Sequence, residues 1–101
     1  MSTDYSKMSD FEINCRVHSE VVEISGLDSF KAKDYCNNPA DAWPIIVNNS
    51  ISLECIVVNR HEKTWRAQFK TAYVKHRVNH KNPLRAAMIV FLMMQESKNA
   101  S

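Results

Sequence analysis

A chain of 101 residues, 45% apolar and 24% charged, fits one domain (residues 1–101) with a modest core, and this composition excludes a disordered chain apart from ends expected to fray at residues 1–7 and 98–101. Three widely spaced cysteines with no apolar N-terminal leader point to a reducing cytoplasm, and the longest apolar run, residues 86–94, is too short for the ~20 residues of a membrane-spanning helix. The net charge of +2 hides an asymmetry: residues 1–58 hold four Lys/Arg against nine Asp/Glu, a balance of −5, while residues 59–85 hold eight against Glu62 alone, a balance of +7, which suggests either an anionic partner or two halves of one domain attracting each other.

The first element opens at "MSDFEIN", where Ser9 and Glu12 have the spacing of a capping box and Met8 and Ile13 that of a hydrophobic staple. A short helix over about residues 10–17 follows, with Phe11 and Cys15 on one packing face. "EVVEIS", the single glycine Gly26 and "FKAKDY" then read as a hairpin. In "DYCNNPADAWPIIVNN", Asn38 is a good N-cap, Pro39 suits the first helical position, and Asp41 lies in the first turn, where the helix dipole favours an anion. Pro44 predicts a break near Trp43, because its ring would clash with the Ala40 carbonyl in a continuous helix.

"ISLECIVV" and "WRAQFKTAY" read as strands joined by "NRHEK". In the second strand Trp65, Ala67, Phe69, Thr71 and Tyr73 alternate with Arg66, Gln68, Lys70 and Ala72, so one face is wet and cationic. The last helix starts at Asn82–Pro83 and runs to about Glu96. It is apolar on all sides over its middle turns, which makes it a central core helix or in part a subunit interface, and a homodimer is a further expectation. The predicted fold is α+β: a small antiparallel sheet of three to five strands packed against the C-terminal helix, with short N-terminal and central helices.

Taken together, "YSKMSDFEIN", "DYCNNPADAWPIIVNN", "ISL" and "NPLRAAMIVFLMMQES" resemble the NinX-type proteins of lambdoid phages and prophages, over more than half of the chain. The sequence departs from that pattern between Val17 and Asp34 and in the basic stretch after residue 58. The resemblance implies a phage accessory product acting in the bacterial cytoplasm, and it carries context rather than an activity.

The residues themselves favour binding over catalysis. His76 and His80 are four apart, but their neighbours Lys75, Arg77 and Lys81 would oppose a dication, so no metal is expected. One glycine leaves no phosphate-cradling loop, and no nucleophile, base and oxyanion donor converge around Cys36; no enzyme and no cofactor are expected. Asp34, Tyr35, Asn37, Asn38, Asp41 and Trp43 offer carboxylates, amides and two rings with polar handles, an inventory suited to a flat polar ligand, with Arg77 and Arg85 as sources of positive charge. The alternative for the same residues is purely structural, with Trp43 in the core, Asn38 a cap and Tyr35 ending a strand. The expected function is therefore sequestration of a small nucleotide-like host signal, with nucleic-acid binding as the runner-up and inhibition of a host protein third.

Overall fold

The computed structural model describes residues 3–25 and 32–99, with side chains for 3–22 and 32–98. A 3-10 turn at Tyr5–Lys7 precedes helix α1 (Asp10–Ser25), then follow α2 (Pro39–Asn48), strands β1 (Ser52–Asn59), β2 (Glu62–Lys70) and β3 (Lys75–His80), and α3 (Pro83–Asn99). The strands form one antiparallel meander in the order β1-β2-β3. The class is α+β, with a three-stranded sheet against the C-terminal helix.

Helix α3 lies at the centre. It touches all three strands on one side, and α1 and α2 pack on it. Its surroundings explain why it is apolar all round: Ala86, Ala87, Met88, Ile89, Val90, Phe91, Leu92 and Met94 are all buried by the chain's own elements. Large side chains so buried contribute roughly 1.5–3 kcal/mol each, so this helix supplies much of the core's stabilisation. Of the two readings of the helix, the structure selects the core one.

The N-terminal helix corrects the sequence reading in two ways. It runs to Ser25, so "EVVEIS" is helical, and the first hairpin does not form; the "GLDS" turn and residues 30–31 of its second arm lie outside the described residues. The reason is a ladder of apolar residues at i, i+4 and i+8: Ile13 and Val17 are fully buried and Val21 packs against the same core, which outweighs the strand preference of β-branched side chains. The packing face is therefore that of Ile13, Asn14, Val17 and His18, while Phe11 (72% exposed) and Cys15 face outward. Ser9 does cap the helix, its hydroxyl accepting from the Glu12 N–H at 3.1 Å.

Helix α2 also differs from expectation, because it passes Pro44 without a break. The carbonyl that Pro44 leaves without a donor belongs to Ala40, and Ala40, Trp43 and Pro44 are all exposed, so the lost bond is on the solvent side where it costs little. Ala42, Ile45 and Ile46 hold the other side in the core. The helix ends at Asn48 with Asn49 as its C-cap, and Ser50 follows with a φ of 55°, the left-handed conformation normally given to glycine; Ile51 N–H then reaches the Ile46 carbonyl at 3.0 Å.

In the sheet, β2 begins three residues earlier than the alternation suggested and ends at Lys70, so Thr71 and Tyr73 belong to a turn and not to the strand. A third strand, β3, occupies part of the basic stretch. Register places Leu53, Ala67 and Val78 side by side on the face toward α3, with Phe69 beside His76 and Trp65 beside His80. The 3-10 turn is tied to α3: Tyr5 is buried, and its hydroxyl donates to a Glu96 carboxylate oxygen at 2.6 Å.

Candidate functional site

The central segment folds into a polar clasp between the starts of the three helices. Residues 35–37 form a turn, closed by the Asn38 N–H donating to the Asp34 carbonyl at 2.8 Å, and Asn38 then caps α2 by accepting from the Ala40 N–H. Asn14, reaching across from α1, donates to the Asp34 carboxylate at 2.8 Å and accepts from the Cys36 N–H at 3.0 Å. The Asn37 amide donates to Asp34 at 3.1 Å and to Asp10 at 3.3 Å.

From the other side comes Asn82, which does two things at once. Its side-chain oxygen caps α3 by accepting from Leu84 and Arg85 N–H groups, and its amide donates to the Cys36 carbonyl at 2.7 Å. Arg85, one turn into α3, is buried; its guanidinium pairs with Asp10 at 2.7 Å and donates to the Met8 and Tyr5 carbonyls at 2.6 and 3.4 Å. Its Nε has no partner.

Two buried groups adjoin the clasp. Tyr35 is buried, not at a strand end, and its hydroxyl lies 2.9 Å from His18 Nδ1; burial first, and the Asp41 charge second, raise its pKa above the usual phenol value. The Cys36 thiol is pushed up to about 12, by burial first and then by the Asp10 charge, so it is not a thiolate at neutral pH.

Of the eight residues singled out from sequence, Asp34, Tyr35, Asn37 and Arg85 thus meet in or beside the clasp. Asn38 is exposed and acts as the cap. Asp41 lies in the first turn of α2, and Trp43, 58% exposed, is not a core residue. Arg77 stands on β3 and Arg85 is already committed to Asp10, so neither supplies free charge to the central segment. Asp10, Asn14 and Asn82 were not among those eight, Asp10 and Asn82 having been read only as helix starts, although a polar Asn14 between Ile13 and Val17 on a buried helix face is itself a sign of a network. The clasp borders an open cleft of about 330 Å³ lined by Asp10, Phe11, Asn14, Ala32, Asp34 and Asn37. Its lining is acidic and amide with one bare ring, a surface for hydrogen-bond donors and not for anions. A larger groove of about 490 Å³ lies elsewhere, over the Tyr5–Glu96 contact, and carries charges of both signs from Arg16, Glu20 and Glu96.

The other candidate is the outer face of the sheet, turned away from α3. Register aligns Ser52, Gln68 and Arg77 in one row, Glu54, Arg66 and Asn79 in the next, and Lys70 directly opposite Lys75 at the end. Arg66 is answered by Glu54 at 3.6 Å and by Asn79 at 3.4 Å. Lys70, Lys75 and Arg77 are exposed and take part in none of the ion pairs among the described residues. No group of three His, Cys, Asp or Glu among those residues is placed to hold a metal ion, and His80 Nδ1 accepts from the Asn82 N–H instead. Nor is any described helix long and apolar enough to cross a membrane.

Comparison with known proteins adds one finding. The family model described as Bacteriophage P22, NinX matches residues 4–95, which include the clasp, the whole sheet and most of α3. No curated protein and no solved structure matches the chain.

Proposed function

The chain belongs to the bacteriophage NinX family, and on that premise we propose that it is a phage accessory protein working in the host cytoplasm by binding rather than catalysis, with the backbone of a nucleic acid as its partner. The observation that carries this reading is the trio Lys70, Lys75 and Arg77 on the outer sheet face. Two lysines directly opposite each other across a strand pair repel, a local cost that an anionic partner removes. Arg77 is two residues from Lys75, so it shares that face and extends the positive row. A phosphate backbone would supply the missing negative charge, and release of its counterions would drive association.

The test is fluorescence anisotropy of labelled duplex and single strands with the full chain at increasing salt. Affinity should fall steeply, with a slope of about −0.7 to −0.9 for each phosphate neutralised. Lys75→Gln or Arg77→Gln should each reduce that slope by roughly one. Absence of binding at low salt would reject the reading.

A second reading rests on the cleft beside the clasp: sequestration of a small nucleotide-like host signal, a counter-defence role. The Asp10 and Asp34 carboxylates, which still face water, would accept hydrogen bonds from the amino groups of a base, with the exposed Phe11 ring beside it. The acidic lining makes the base, not the phosphate, the recognised part. Thermal stabilisation by one class of mononucleotide, dinucleotide or cyclic nucleotide, about 2.7 kcal/mol at a hundredfold excess over Kd, would support it. A broad nucleotide library without any shift would remove it.

A further inference from the structure

We infer, resting on the nucleic-acid reading above, that the bound polymer is single-stranded and that Tyr73 stacks on one of its unpaired bases. Tyr73 is 96% exposed, more than any other large apolar side chain described, and it sits in the turn between Lys70 and Lys75. That turn is firmly built. The Thr71 N–H donates to the Val74 carbonyl at 2.8 Å, and the Thr71 hydroxyl accepts from the Tyr73 and Val74 N–H groups at 3.2 and 3.0 Å. The ring is therefore carried by a fixed backbone, and ordering that backbone is not a cost left for binding.

The other rings of the sheet do not share this position. Trp65 and Phe69 project toward α3, where Phe69 packs on the core, so they cannot meet a partner lying on the cationic side. Among the described residues only Tyr73 is both bare and flanked by the repelling lysines. In a duplex the base faces are already stacked on one another, so a ring at a turn would find only sugar and phosphate. An unpaired strand offers a free face, and offers it for every base alike. Lys70 and Lys75 then take phosphates on either side of the stacked nucleotide, which predicts little sequence preference.

The experiment measures binding of the full chain to labelled oligo-dT, oligo-U and a dA·dT duplex at one low salt concentration. Both single strands should bind more tightly than the duplex. Tyr73→Ala should weaken the single-strand complexes about tenfold and leave duplex binding and Tm unchanged, while Tyr73→Phe, which keeps the ring, should retain the single-strand affinity. A duplex bound as tightly as the single strands, or Tyr73→Ala without effect on them, overturns the inference while salt-dependent binding still upholds the nucleic-acid reading. Failure to bind any of the three polymers removes both.

Discussion

The polar clasp around Asn37 and the outer face of the sheet are made from similar side chains and differ in what those side chains touch. In the clasp, Asp10, Asn14, Asp34, Asn37, Asn82 and Arg85 are joined to one another and to backbone groups, so their charge and hydrogen-bonding capacity are largely used inside the fold. On the sheet, Lys70, Lys75 and Arg77 are exposed and join none of the ion pairs among the described residues, and two of them repel. A polar residue type therefore says little about function until its partners are known. What separates a structural network from a binding surface here is satisfaction, not composition.

Substitutions can press on that contrast, and the largest effect should come from the clasp. Arg85→Met takes the cation from Asp10, which keeps the Asn37 amide, and the Arg85 donor from the Met8 carbonyl, while the Tyr5 carbonyl keeps the Met8 N–H; it is expected to lower stability by about 3 kcal/mol, the lower end for a broken buried pair because Asp10 keeps some contact with water. Denaturant unfolding measures it. Asn82→Ala should cost about 2 kcal/mol, since a cap and a cross-chain bond to Cys36 disappear together, whereas Asn38→Ala removes a cap alone and should cost about 1 kcal/mol. Equal losses from the two asparagines would mean that the tether to residue 36 contributes nothing.

Acid should act through the contact of the first turn with α3. The Glu96 carboxyl is held below its usual value, first by the Tyr5 hydroxyl and then, against a smaller opposing effect of burial, by Thr3. Because its folded pKa lies below the unfolded value of about 4.5, the contribution is present above that pH and is lost as pH falls through the folded value. Tyr5, pushed up to about 12 by burial first and then by Glu96, behaves oppositely: its share is complete below about 10 and is lost as pH rises through 12. The Tm difference between the natural chain and Glu96→Gln should accordingly shrink in acid. The smallest effect belongs to the sheet: Lys70→Gln should change stability by no more than ~0.5 kcal/mol, in the stabilising direction, by relieving the repulsion with Lys75. A clear loss of stability there would show that these lysines are part of the fold after all.

Features legible in the sequence were those set by local chemistry. Asn38–Pro39 and Asn82–Pro83 marked the starts of α2 and α3 correctly, Ser9 marked that of α1, "ISLECIVV" marked β1, and alternation located most of β2. What escaped depends on distant contacts. "EVVEIS" looks like a strand until Ile13, Val17 and Val21 are seen to share one core, and Pro44 looks like a break until its side of the helix is found in water. Strand β3 has one apolar residue, Val78, and little periodic signal. Arg85 counted as one more positive charge, because nothing in its neighbourhood along the chain announces a partner at Asp10.

The reach of Arg85 has a kinetic side. Its bonds join residues 75 to 80 positions apart in the chain, among the longest closures that the fold makes. Such contacts are costly to form before the elements between them are in place. They should be absent from the folding transition state and appear on its native side, so Arg85→Met is expected to accelerate unfolding while leaving the refolding rate nearly unchanged. The guanidinium would then act less as a guide to the fold than as a latch that sets how long the finished molecule stays closed.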